Sequence, residues 1–116
     1  MSKFIFMLIT LLLVQHTAHA AEIPLSGSEI SALLNDNVLY GEVNGQPADQ
    51  IFQNNGVTYY NVGSGQSQGK WKVEGDQFCS QWSPNPAWAC YDVTREDRHV
   101  FFISKWGERT DMLLAK

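Results

Sequence analysis

The chain has 116 residues, 44% of them apolar, and its 12 acidic side chains outnumber 8 Lys and Arg for a net charge of −4. That length admits one ordinary domain. The acidic balance, with basic groups scattered and no run longer than Lys70-Trp71-Lys72, argues against nucleic acid or anionic membranes as partners; a basic partner protein is permitted, although solubility alone explains moderate acidity.

Residues 1–20 read as a secretory signal peptide. Lys3 supplies the positive start, Phe4 to Val14 is an apolar run interrupted only by Thr10, and Ala18-His19-Ala20 is an A-x-A cleavage site. The run is shorter than the roughly 20 residues that span a bilayer, and no cysteine lies near the cleavage site to take a lipid. The expected product is a periplasmic or secreted monomer without a stable membrane anchor, a single β-rich domain over residues 21–116. Such a domain buries only about 60 to 65% of the surface its unfolded chain exposes, so any staple matters.

After Pro24, Ser26 and Glu29 fit an S-x-x-E capping box, with Leu25 and Ile30 in the staple positions on either side. Ile30, Leu33 and Leu34 follow helical spacing, and Asn35-Asp36-Asn37 ends the segment, so a short amphipathic helix is expected there. From Val38 the period changes to two and turn residues recur every eight to twelve positions. Val38 to Val43 is a strand ending at Asn44-Gly45. Ile51 to Gln53 and Val57 to Val62 pair across Asn54-Asn55-Gly56, whose Asn-Gly favours a type I′ turn. Gly63 to Gly69, rich in Gly, Ser and Gln, reads as a mobile loop. Lys70 to Glu74 alternates, with Trp71 and Val73 on one face and the charges on the other.

Gln77 to Trp82 and Ala89 to Thr94 form a hairpin around Ser83-Pro84-Asn85-Pro86. With the turn centred between Pro84 and Asn85, an antiparallel register sets Cys79 opposite Cys90, Phe78 opposite Tyr91 and Gln81 opposite Trp88. These are the only two cysteines, and opposed positions suit a disulfide. In an oxidising compartment the thiols are expected to pair rather than bind metal or catalyse. Phe78, Ser80, Trp82, Ala89 and Tyr91 share one face; Cys79, Cys90 and Trp88 take the other. His99 to Ser104 and Thr110 to Leu114 close the chain around Gly107. One helix and about eight short strands in so small a domain point to a mainly β fold, an antiparallel meander closed into a small barrel so that no long edge stays unpaired. A β-sandwich is the alternative.

Candidates for chemistry are few. His16 and His19 leave with the leader, and His99 reads as a strand-end histidine rather than a general base. Asp92, Glu96 and Asp97 invite a calcium reading, but Arg95 and Arg98 interleave with them as in a polar turn. No H-E-x-x-H or C-x-x-C occurs, and neither catalysis, cofactor nor metal is expected. The positive signal is aromatic: Trp71, Trp82, Trp88 and Trp106 with Tyr40, Tyr59, Tyr60 and Tyr91. Most must be core. Tyr59 and Tyr60 are adjacent, as are Phe101 and Phe102, and each pair must split between two faces. Trp71, Trp82, Trp88 and Tyr91 are the expected binding residues, because they flank or feed the stapled turn.

Gly69-Lys70-Trp71-Lys72-Val73, then Phe78-Cys79-Ser80-Gln81-Trp82, then Cys90-Tyr91-Asp92-Val93, together resemble a family of small exported proteobacterial proteins classed as a domain of unknown function. In that family a helix of the pattern L-x-G-x-E-I-x-x-L-L, here Leu25 to Leu34, precedes G-x-W and C-x-x-W strands. The family carries no activity over to this chain. The expected barrel is also similar in outline to lipocalins, although their G-x-W lies on the first strand and Gly69 and Trp71 lie mid-chain. Secreted bacterial inhibitors of metalloproteases and of lysozyme share the size, leader, barrel and disulfide, but the serine-glycine-tyrosine signature of the latter is not apparent. Three readings follow: a binding module for a small apolar or amphipathic ligand, an inhibitor or adaptor that binds another protein, and, ranked last, an enzyme.

Overall fold

Ser26 is followed three residues later by Glu29, and in the computed structural model, which describes residues 21–115, the capping box forms. The Ser26 hydroxyl accepts the Glu29 backbone N–H at 3.3 Å, and Glu29 Oε1 accepts the Ser26 backbone N–H at 2.9 Å. The expected signal peptide lies outside the described residues. The cap starts α1 (Gly27–Leu34), which buries Ile30 and Leu34 completely. Gly27 is required at the docking point, since a Cβ there would lie 2.0 Å from the Gly75 carbonyl oxygen.

The period-two segments form nine strands: β1 (Ile23–Pro24), β2 (Asn37–Val43), β3 (Gln46–Phe52), β4 (Val57–Val62), β5 (Gly65–Glu74), β6 (Gln77–Trp82), β7 (Ala89–Glu96), β8 (His99–Ile103) and β9 (Arg109–Leu114). β2 to β9 pair in sequence order, all antiparallel, and β9 returns to β2, so eight strands close an up-and-down barrel. The short β1 is the extra strand. It pairs with Thr94 and Arg95 of β7, beyond the point where β6 begins, and Leu25 N–H continues the ladder to the Val93 carbonyl at 2.9 Å. Among the described residues the closing seam between β2 and β9 holds two residue pairs, Leu39 with Leu114 and Tyr40 with Leu113.

Three local expectations change. The segment expected as a mobile loop, Gly63 to Gly69, is mostly strand: Gly65 to Gly69 pair residue for residue with β4. Its polar side chains have weak strand propensity, but a complete backbone ladder decides the matter, as does a run of amides in which Gln66 donates to Asn61 and Asn61 to Asp49. The expected type I′ turn at Asn54-Asn55-Gly56 is instead a type I turn closed by Gly56 N–H to the Gln53 carbonyl, with Gly56 alone at positive φ (88°) as a bulge. The I′ geometry belongs to Asn44 (φ 50°) and Gly45 (φ 79°). The hairpin register holds for Cys79 with Cys90 and Phe78 with Tyr91 but ends at Ser80 with Ala89. Gln81 therefore does not pair with Trp88; its side-chain amide bonds the Pro86 carbonyl across the loop instead.

Helix α1 sits at the barrel end formed by the starts of β2, β4, β6 and β8. Beneath it the core gathers Leu39, Phe52, Trp71, Phe78, Val93, Val100, Phe102 and Met112 around Ile30 and Leu34. Phe52 packs edge-on against both Trp71 (5.8 Å between centroids) and Phe78 (5.6 Å), and Phe78 against Phe102 at 5.1 Å. Among the described residues no helix bridges the turns at the opposite end.

Candidate functional site

Alternation along β3, β4, β6, β7, β8 and β9 turns one set of side chains inward, and above the aromatic core those side chains leave a cavity of about 240 Å³. Phe78, Phe102 and Met112 line its base, Gln50, Ser80 and Tyr91 its middle, and Tyr60, Trp82 and Thr110 its mouth. Tyr60 and Trp82 meet edge to face at 6.3 Å and also line a hollow of about 380 Å³ on the rim with Ser67, Gln68 and Ser83. These two rings thus stand between the cavity and the outside.

Local chemistry sets the Trp82 ring. It lies directly over Gly69, its cross-strand partner; a Cβ on Gly69 would come within 2.7 Å of the ring and of the Gln81 carbonyl oxygen. Its indole N–H donates to Ser80 Oγ at 3.2 Å. Deeper in, Thr58 is fully buried, donates its hydroxyl to the Ile51 carbonyl at 2.8 Å and accepts Gln50 Nε2 at 3.0 Å.

The four expected binding residues part company. Trp82 and Tyr91 line the cavity. Trp71 is in the core under the helix, 6% exposed, with its indole N–H spent on the Gln53 carbonyl at 2.8 Å. Trp88 lies on the outer face, 37% exposed, with Lys72 Nζ 4.4 Å from its ring centre. The cysteines share that outer face at disulfide distance, S–S 2.06 Å, and Cys79 is nonetheless fully buried. Sequence reasoning missed Gln50, Tyr60, Ser80 and Thr110. The parity of β4 and β6 was enough to turn Tyr60 and Ser80 inward, whereas Gln50 lay outside any expected strand.

The remaining chemistry is on the surface. His99 Nδ1 lies 3.0 Å from Asp111 Oδ1, and its ring stacks on Phe101 at 6.0 Å. Glu22 is held below its ordinary value of 4.5 by the Thr94 hydroxyl and by Arg109, whose guanidinium lies 4.7 Å from the Phe101 ring. Asp92, Glu96 and Asp97 do not converge. Among the described residues the one group with metal-ligand proximity is Glu74 with Cys79 and Cys90, and those sulfurs face each other at bonding distance. No helix of the described residues is long and apolar enough to cross a membrane. Comparison with protein-family models, with curated proteins and with solved structures finds no match to this chain.

Proposed function

We propose that this protein is an exported, non-catalytic binding module that takes a small apolar or amphipathic ligand into the barrel, and that it belongs with the small exported proteobacterial proteins its motifs resemble. The observation that carries the reading is the cavity itself: apolar at its base, polar at a few fixed points, and backed by a helix-plugged core that positions its walls. Trp82 and Tyr91 are the ligand contacts among the four aromatic residues singled out from sequence. Native mass spectrometry of the protein purified from its own periplasm tests this, with a retained small molecule expected. Trp82→Ala is expected to weaken retention about thirtyfold, some 2 kcal/mol, the scale of a buried aromatic anchor. An empty cavity in protein isolated at native abundance, together with unchanged behaviour of Trp82→Ala, would sink the reading.

A second reading, an inhibitor or adaptor for another protein, draws on Trp106. It is 77% exposed on the β8–β9 turn, and the turn is braced by Ser104, whose hydroxyl accepts the N–H groups of Trp106 and Glu108. A rigid turn presenting a large ring suits a partner's pocket. Trp106→Ala would separate the two readings, because it leaves the cavity untouched.

A further inference from the structure

The hydrogen bonds around Gln50 define what the cavity can accept. A hydroxyl has one proton, and Thr58 gives its proton to the Ile51 carbonyl. Thr58 Oγ1 therefore meets Gln50 as an acceptor, which fixes the Gln50 amide with its nitrogen toward Thr58 and its carbonyl oxygen Oε1 turned away. Gln50 is 8% exposed and lines the cavity, and Oε1 accepts no hydrogen bond among the described residues. No side-chain nitrogen or oxygen among the described residues is both fully buried and unpartnered, so Oε1 meets solvent in the cavity; a ligand that displaces that solvent without supplying a donor strands the acceptor and loses affinity, whereas one that supplies a donor keeps the hydrogen bond. At the opposite wall the Trp82 N–H is already spent on Ser80.

The other walls narrow the class. Five of the nine lining residues are aromatic (Tyr60, Phe78, Trp82, Tyr91 and Phe102) and none is Asp, Glu, Lys, Arg or His. An ion entering such a site loses its hydration with no counter-charge to meet it. Size sets the rest: an apolar cavity of about 150 Å³ holds benzene, so about 240 Å³ accommodates a substituted ring or two fused rings.

We propose that the cavity binds a neutral aromatic molecule of one or two rings bearing a hydroxyl or ring N–H, of the phenol or indole class, whose proton is donated to Gln50 Oε1. This rests on the reading of the cavity as a ligand site. Calorimetric titration of the mature protein with phenol, indole, toluene, anisole, benzoate and 1-hexanol tests it, with the Met112 methyl resonance reporting occupancy. Phenol and indole are expected to bind and to move that resonance by ring current. Toluene and anisole, which lack the donor, are expected to bind at least tenfold more weakly, and benzoate not to bind. In Gln50→Leu, phenol falls to the level of toluene; should that variant not fold, the phenol-to-anisole ratio in the unaltered protein decides the same point. Equal affinity for phenol and anisole, or binding of benzoate, overturns the proposal. Binding of 1-hexanol without any arene overturns the ligand class but leaves the cavity as a ligand site, whereas a Met112 signal unmoved by every compound removes both.

Discussion

The two ends of the barrel are built from the same eight strands and differ in what fills them. At the helix end, Ile30 and Leu34 descend from α1 onto Leu39, Phe52 and Val100, all fully buried, and the β5–β6 and β7–β8 hairpins pair to their last residues, Glu74 with Gln77 and Glu96 with His99. At the other end the inward positions carry Gln50, Ser80, Tyr60 and Thr110, pairing between β6 and β7 stops at Ser80, and a cavity remains. Close packing yields stability in proportion to the area removed from water, while a cavity forgoes that stability. The plugged end holds in place the walls that surround the cavity at the open end.

Truncation of a plug-end ring should show the largest effect. Phe52→Ala removes the ring that joins Trp71 to Phe78 and is expected to cost about 3 to 5 kcal/mol, measured by denaturant unfolding. A loss below about 1 kcal/mol would mean the helix end is not the tightly packed one. Reduction of the Cys79–Cys90 pair comes next, with an expected loss of about 3 kcal/mol for a closed loop of this length. Thiol labelling of denatured, unreduced protein should find neither cysteine free, and stoichiometric labelling would contradict the pairing.

Gly69→Ala probes the mouth. The added methyl must push Trp82 aside, at about 1 to 3 kcal/mol of overpacking, and is expected to shift tryptophan emission and weaken ligand binding more than the stability loss alone explains. The smallest effect belongs to the helix cap. Glu29 is held below its ordinary value of 4.5 by the Ser26 backbone N–H and then the Ser26 side chain. Its folded value is depressed, so its contribution is present above about pH 4.5 and disappears as pH falls through the folded value. Ser26→Ala should cost about 1 kcal/mol at neutral pH, while Glu29→Gln, which removes the titrating carboxylate that the Ser26 backbone N–H holds, should flatten the acid limb of a stability–pH curve below about pH 4.5. An unchanged acid limb would assign the titration elsewhere.

Much of this architecture was legible in the residues, and the failures are informative. The capping box and the opposed cysteines were readable because each depends on contacts a few residues apart or on one hairpin's parity. Asn44-Gly45 and Asn55-Gly56 carry the same dipeptide yet adopt different turns, since Val43 and Gln46 pair directly across the first while the second adds a residue to the loop. Gly65 to Gly69 looked like a loop because strand propensity is weak for Gly, Ser and Gln; the partner β4 supplies what the segment lacks. Trp71, Trp82 and Trp88 are indistinguishable by type, and their fates depend on distance from the helix and on which side of the wall they fall. Gln50 could not be found at all without the buried Thr58, because a polar residue inside a barrel is readable only through its partner.

The two-pair seam between β2 and β9 has a consequence for how the chain reaches this shape. The first and last strands of the barrel are the ones that must meet, so synthesis delivers every other strand before closure becomes possible. Leu39 waits for Leu114 and Ile23 for Arg95, while each hairpin between them can form locally as it emerges. Contacts of such long sequence separation slow folding because the loop entropy is lost before the contacts compensate it. A nascent chain of this kind stays an unclosed ribbon of hairpins until β9 is available, which makes β9 the latch of the whole barrel.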